Sequence, residues 1–189
     1  MQLQSKISNL LLSAFFWLFL NSYLSAQSIQ TYTGSFPVPP HNKNMLFYLQ
    51  RTVDVNTVIY EINYMANGEI NKTKPVKVYW IDYANAGKIS PLTYVQNKFA
   101  YGIAYQKMDG HELIFKMNIV SFKKITLYLK RGTDGFYQTY IEMNGKQCVL
   151  TNILVNIIGG TYMRPHISTI ELFGKEIRSG DKITEIIKP

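Results

Sequence analysis

Tyr79-Trp80-Ile81-Asp82-Tyr83 concentrates more chemistry than any other stretch of this sequence. In a strand, neighbouring side chains point to opposite faces, so Trp80 shares one face with Asp82 and Tyr79 shares the other with Tyr83. An indole beside a carboxylate can hold a sugar ring or a cation. Arg51, Tyr101 and Arg131 add fixed charge and planar surface of the kind that stacks on glycans or grips acidic ligands. Arg51, Tyr79, Trp80, Asp82, Tyr101 and Arg131 are therefore the expected ligand contacts. If Val78 and Trp80 face a core, Tyr79, Ile81 and Tyr83 cover the opposite side of the sheet. Exposed, they would form an aromatic platform; packed, they would be ordinary strand tyrosines with wet hydroxyls, and packing is the preferred reading.

Catalytic signatures are missing. The sequence contains no G-x-S-x-G, H-E-x-x-H, G-x-x-x-x-G-K or C-x-x-C. His41, His111 and His166 lie far apart without metal-ligand spacing, so no metal and no cofactor is expected. His111-Glu112 follows Asp109-Gly110 and reads as a wet turn. Cys148 is the only cysteine, which forbids a disulfide within the chain and leaves a small buried hydrophobe as its default role. Glycoside hydrolysis would need two carboxyl groups roughly 5–10 Å apart across a cleft. Asp82 with Glu61, or with a histidine, is the arrangement such an enzyme would have to use.

The first 26 residues carry one base (Lys6), an apolar block from Leu10 to Leu20, and a small-residue exit ending at Ala26. That is the layout of a secretory signal peptide cleaved after Ala26. An uncleaved anchor is the alternative, although the block is shorter than the ~20 residues a spanning helix needs. After signal removal no stable transmembrane span is expected. An exported chain without disulfides fits a bacterial periplasm or cell surface. Asn71-Lys72-Thr73 matches a glycosylation acceptor that carries little meaning there. Losing Lys6 leaves 19 basic against 12 acidic residues, a surplus that attracts anionic surfaces or acidic glycans. Nucleic acid is not an expected partner, because no binding motif accompanies the charge.

The elements that must position these residues are mainly strands. A hydrophobic share of 47%, 17% charged residues and a mean hydropathy of -0.07 exclude a disordered, collagenous or multi-span chain. Residues 27–43, with Pro37, Pro39 and Pro40, read as an extended lead-in to one β-rich domain over 44–189. Alternating runs are expected at Met45 to Arg51, Val55 to Met65, Val76 to Tyr83, Ile103 to Met108 and Glu112 to Val120. Further strands follow around Ile125 to Lys130, Phe136 to Met143, Lys146 to Ile158, Ile167 to Phe173 and Ile183 to Ile187. Asn67-Gly68, Asp109-Gly110, Asp134-Gly135 and Asn144-Gly145 mark turns, and Gly159-Gly160 is expected to end the longest run. One short helix is expected from Ser90-Pro91, as cap and first residue, through Leu92, Val95, Gln96 and Phe99 to Gly102. Nine or ten strands with one inserted helix predict a mainly antiparallel β-sandwich or partly closed barrel.

Several short segments carry a family resemblance. Leu46-Phe47-Tyr48-Leu49-Gln50-Arg51, Asn56-Thr57-Val58-Ile59-Tyr60, Pro75 to Ile81, Ala100-Tyr101-Gly102, and Ile170 to Gly174 continuing to Gly180 are similar to a family of exported bacterial proteins known only as a domain of unknown function. The resemblance covers about residues 44–189 and implies a compact exported domain. It assigns no activity and transfers no catalytic residue. The sequence therefore predicts a non-enzymatic ligand-binding or envelope-associated protein whose partner is an envelope glycan, an anionic surface or another envelope protein. A hydrolase of envelope glycan or peptide polymers is the alternative.

Overall fold

The computed structural model describes residues 31–108, 114–161 and 164–188. The leader over 1–26 and the Asp109-Gly110 turn with His111 lie outside the described residues. Among the described residues no helix is long and apolar enough to cross a membrane.

The chain is mainly β, as expected; among the described residues eleven strands form one sheet curled into a half-barrel. The strands are β1 (Met45–Arg51), β2 (Thr57–Ile62), β3 (Val76–Asp82), β4 (Lys88–Pro91), β5 (Ile103–Met108), β6 (Ile114–Ile119), β7 (Leu127–Arg131), β8 (Tyr137–Met143), β9 (Lys146–Thr161), β10 (Arg164–Glu176) and β11 (Lys182–Ile187). One short helix, α1 (Tyr94–Phe99), lies between β4 and β5.

The long β9 is the spine. Its first residues pair with β8 and its middle pairs with β1, while β10 runs along its other edge. Two four-stranded wings, β1 to β4 and β5 to β8, thus hang from the same edge of one strand. Their inner faces meet in one core. Phe47, Leu49, Val58, Tyr60 and Trp80 come from the first wing, Phe115, Met117, Leu129 and Ile141 from the second, and Ile153 and Val155 from the spine. The β1–β9 pairing is parallel, a departure from the antiparallel ladder elsewhere. Alternation alone carries no information on strand direction, which long-range packing decides.

The start of the helix and the end of β9 differ from the sequence expectation for reasons the structure shows. Ser90 and Pro91 belong to an additional edge strand, β4, and do not open the helix. The cap is Thr93: its hydroxyl accepts from the Gln96 N–H, while the Gln96 side chain accepts from the Thr93 N–H. This reciprocal pair satisfies two amides that a Ser90 cap would leave to water, so it shortens the helix. Gly159-Gly160 does not end β9, which runs on to Thr161. Gly160 sits at φ 89°, and a Cβ there would stand 2.4 Å from the Arg164 carbonyl oxygen, so glycine lets β9 and β10 close together.

The described part of the lead-in forms no strand and packs over the outer face of the first wing. Pro39 is buried there, and the Pro37 carbonyl accepts from the Gln50 side chain at 2.8 Å. Gln50 also donates to the Thr57 hydroxyl, so this buried amide is bonded on both sides.

Candidate functional site

Period two along β1 turns Arg51 inward with Phe47 and Leu49, and period two along β3 turns Asp82 inward with Val78 and Trp80. The register Val58↔Trp80 and Leu49↔Val58 puts the three strands side by side at this end of the first wing. Charged residues on a core-facing row occur only where the row runs out of the core. Here it opens into a notch of about 220 Å³ lined by Arg51, Asn56, Trp80, Asp82, Ser90 and Gln96.

Arg51 is clamped from three sides. Its guanidinium carbon lies 4.9 Å from the centre of the Trp80 ring and 5.4 Å from that of Tyr101. One terminal nitrogen donates to the Tyr101 hydroxyl at 2.6 Å, and the other forms an ion pair with Asp54. Asp54 closes the β1–β2 connection by also accepting from the Asn56 N–H at 2.9 Å, an Asx turn. Burial pushes the Asp54 carboxyl up; the Arg51 charge and the Asn56 amide pull it down, and the nearby Asp82 charge pushes it up again. Burial likewise raises the Tyr101 hydroxyl, against the pull of Arg51.

The aromatic pair is fixed in its turn. Trp80 and Tyr101 meet edge to face, with centroids 5.1 Å apart at 80°. The Trp80 indole donates to Gln96 at 3.3 Å, the Tyr101 N–H donates to the Gln96 carbonyl, and the Tyr101 carbonyl accepts from the Tyr60 hydroxyl at 3.0 Å. Gly102 allows this exit from α1, because a Cβ there would sit 1.9 Å from the Asn97 carbonyl oxygen. On the far side, Asp82 accepts from the Asn85 side chain at 2.6 Å, and the Asn56 side chain accepts from the Ala84 N–H at 3.2 Å.

Two buried polar atoms of this notch have no protein partner: Nε of Arg51 and Oδ1 of Asp82. Leaving such groups unbonded costs roughly 1–3 kcal/mol each. Both belong to side chains that line the same hollow, one a donor and the other an acceptor. A larger groove of about 560 Å³, between β7–β8 and β11, has a floor of core side chains including Ile141 and Leu172. None of the buried polar atoms left without a partner among the described residues belongs to its lining.

The structure thus brings together four of the six expected contacts, Arg51, Trp80, Asp82 and Tyr101. Tyr79 is buried on the opposite face of β3, with the Lys77 ammonium 5.1 Å from its ring centre. Arg131 ends β7 in the other wing, over the Tyr137 ring at 5.5 Å. No aromatic platform is formed: Tyr79 is buried, Tyr83 is half-buried with its hydroxyl oxygen enclosed, and the Trp80 face is occupied by Arg51. Glu61 faces Lys77 across the β2–β3 ladder, on the Tyr79 side, and that register is five residues from Asp82. It is therefore separated from Asp82 by about 16 Å of strand and by the sheet itself. His41 and His166 are exposed and line neither cavity. Asp54, Asn56, Ser90 and Gln96 escaped the sequence reading as site residues, although Thr93-x-x-Gln96 is a capping-box signal that would have set the start of α1.

The family model for a domain of unknown function, DUF4833, matches residues 47–186, and the chain belongs to that family. Comparison with curated proteins and with solved structures finds no match.

Proposed function

We propose that this DUF4833 member is a non-enzymatic binding protein of the bacterial envelope, exported by residues 1–26, whose notch takes one sugar unit of a glycan. The observation that carries the reading is the unpartnered pair, Arg51 Nε and Asp82 Oδ1, held in one hollow. Adjacent hydroxyls on a sugar ring suit such a pair, since one accepts from the guanidinium while its neighbour donates to the carboxylate. A volume of about 220 Å³ is below the roughly 300–1,000 Å³ of sites that enclose a drug-sized ligand, which favours an end group over a whole chain. The basic surplus of the chain adds attraction toward acidic glycans.

The hydrolytic alternative finds less support. Asp54 is the carboxylate next to Asp82, but its two oxygens are taken by Arg51 and by the Asn56 N–H. Asp82 then has a free oxygen to receive a hydrogen bond, and among the described residues no second carboxyl lines the notch to complete acid–base chemistry.

Calorimetric titration of the processed protein with neutral, N-acetylated and acidic oligosaccharides tests the reading. Binding weakened about tenfold or more by Asp82→Asn, roughly 1.4 kcal/mol, is the expected result. No binding to any of them by the folded protein overturns it, and so does glycan turnover that disappears in Asp82→Asn.

A further inference from the structure

We propose that the excursion from Lys88 to Phe99 docks on the headgroup surface of an anionic lipid bilayer. It comprises the edge strand β4 and the helix α1, and it carries four large apolar side chains in water. Ile89 is 65% exposed, Tyr94 71%, Val95 48% and Phe99 63%. No residue of α1 is buried; its capping box and the Gln96–Trp80 bond hold it, and the flanking Leu92 and Tyr101 pack on the core. Within β1, β2 and β3 no apolar side chain is exposed. Ile89 shares the outer sheet face with Ile81, and the three side chains that α1 itself leaves in water, Tyr94, Val95 and Phe99, mark a contact surface.

Charge decides what that surface meets. Between Asp82 and Asp109 the sequence has no acidic residue, and the excursion carries the basic Lys88 and Lys98. The Lys98 ammonium is 5.4 Å from the Tyr94 ring centre and 5.3 Å from that of Phe99, and it donates to the Tyr94 hydroxyl at 3.0 Å. A lysine ammonium held over aromatic rings is an amphipathic arrangement that suits a bilayer interface: rings at the headgroup level, cation close to the phosphates. A protein partner with an apolar patch would bury these lysines unpaired, whereas anionic lipid pairs with them. Each lysine near such a surface adds attraction that salt screens. Ser90 and Gln96 of this excursion line the notch, but the docking side chains Tyr94, Val95 and Phe99 do not, so the inference does not rest on what the notch binds.

The test places an environment-sensitive fluorophore on Asn97→Cys in the full chain, with the buried Cys148 replaced by alanine. Its emission is read with vesicles of phosphatidylcholine alone and of phosphatidylcholine with phosphatidylglycerol. A label on α1 reports on this excursion whatever the leader does. The expected result is a blue shift with the phosphatidylglycerol vesicles only, reversed by high salt and abolished by Tyr94→Ser/Phe99→Ser. Lys98→Glu is expected to weaken it several-fold, with thermal unfolding of each variant confirming an intact fold. No shift, a shift of equal size on neutral vesicles, or a shift that survives the double serine variant overturns the proposal. A shift without vesicles that grows with protein concentration also overturns it, assigning the patch to a second copy of the chain.

Discussion

Arg51 of β1 and Trp80 of β3 meet across β2 on the inward face of the first wing, with the guanidinium carbon 4.9 Å from the centre of the indole. The ring supports the cation on one side, so Tyr101 and Asp54 take two terminal N–H groups and Nε stays turned away from both. Trp80→Leu keeps an apolar residue in the core and removes the support. The edge contact with Tyr101 and the bond to Gln96 vanish with it. Loss of buried aromatic area, the cation–π contact and one hydrogen bond together amounts to about 3 kcal/mol. Urea unfolding of the variant is expected to show that loss, as a midpoint lowered by the energy divided by an unchanged m-value.

Tyr101→Phe isolates the link between the wings. The ring and the carbonyl that accepts from Tyr60 remain, and only the hydroxyl that receives the Arg51 proton is lost. Arg51 then has one partner fewer in a half-buried position, so stability is expected to fall by about 1–2 kcal/mol. Ligand affinity is expected to fall further than that loss of stability implies, because a freed guanidinium no longer holds Nε in place. Equal affinity for the wild type and the variant, measured by titration with a bound oligosaccharide, would show that Arg51 positioning is irrelevant to binding.

Much of this geometry was legible before folding because it depends on period two. The alternation Val78, Trp80, Asp82 fixes one face whatever the strand pairs with, and Leu49 to Arg51 does the same. Convergence of Arg51, Trp80 and Asp82 then follows from adjacency of β1, β2 and β3, which short connections favour. Arg131 does not join them: its alternation is equally clear, yet the pattern is silent about which wing β7 joins. The parallel β1–β9 contact escaped for the same reason, since it joins residues about a hundred positions apart. The Thr93 cap was visible in principle, but Ser90-Pro91 presents a competing signal just upstream.

Thr93→Ala tests the cap that places Gln96. The hydroxyl accepting from the Gln96 amide is lost, at a cost of about 1 kcal/mol to a helix with no buried residue to compensate. Gln96 in turn holds the Trp80 indole, so the loss is expected to reach the notch. Hydrogen exchange of the amides of Tyr94 to Tyr101 is expected to accelerate, and the indole N–H of Trp80 with them, while those of β6 to β8 keep their protection. A Thr93→Ser variant restores the acceptor and is expected to exchange like the wild type.

Tyr79 governs the alkaline limit of this wing. Burial, then the charge of Glu61, then donation of its hydroxyl to the Glu61 carboxylate push it from the ordinary tyrosine value of 10.0 up to about 12. The folded chain therefore keeps a proton that the unfolded chain has already given up. Stability from this group is complete below pH ~10, declines as pH rises from there, and is gone once pH passes about 12. Tyr79→Phe removes the titration along with the bond to Glu61. Its stability at neutral pH is expected to be about 1 kcal/mol lower. Its unfolding midpoint in urea is expected to fall less steeply above pH ~10 than that of the wild type. Parallel alkaline limbs for the two proteins would mean that Tyr79 ionises like a free tyrosine, and would remove Glu61 as the cause.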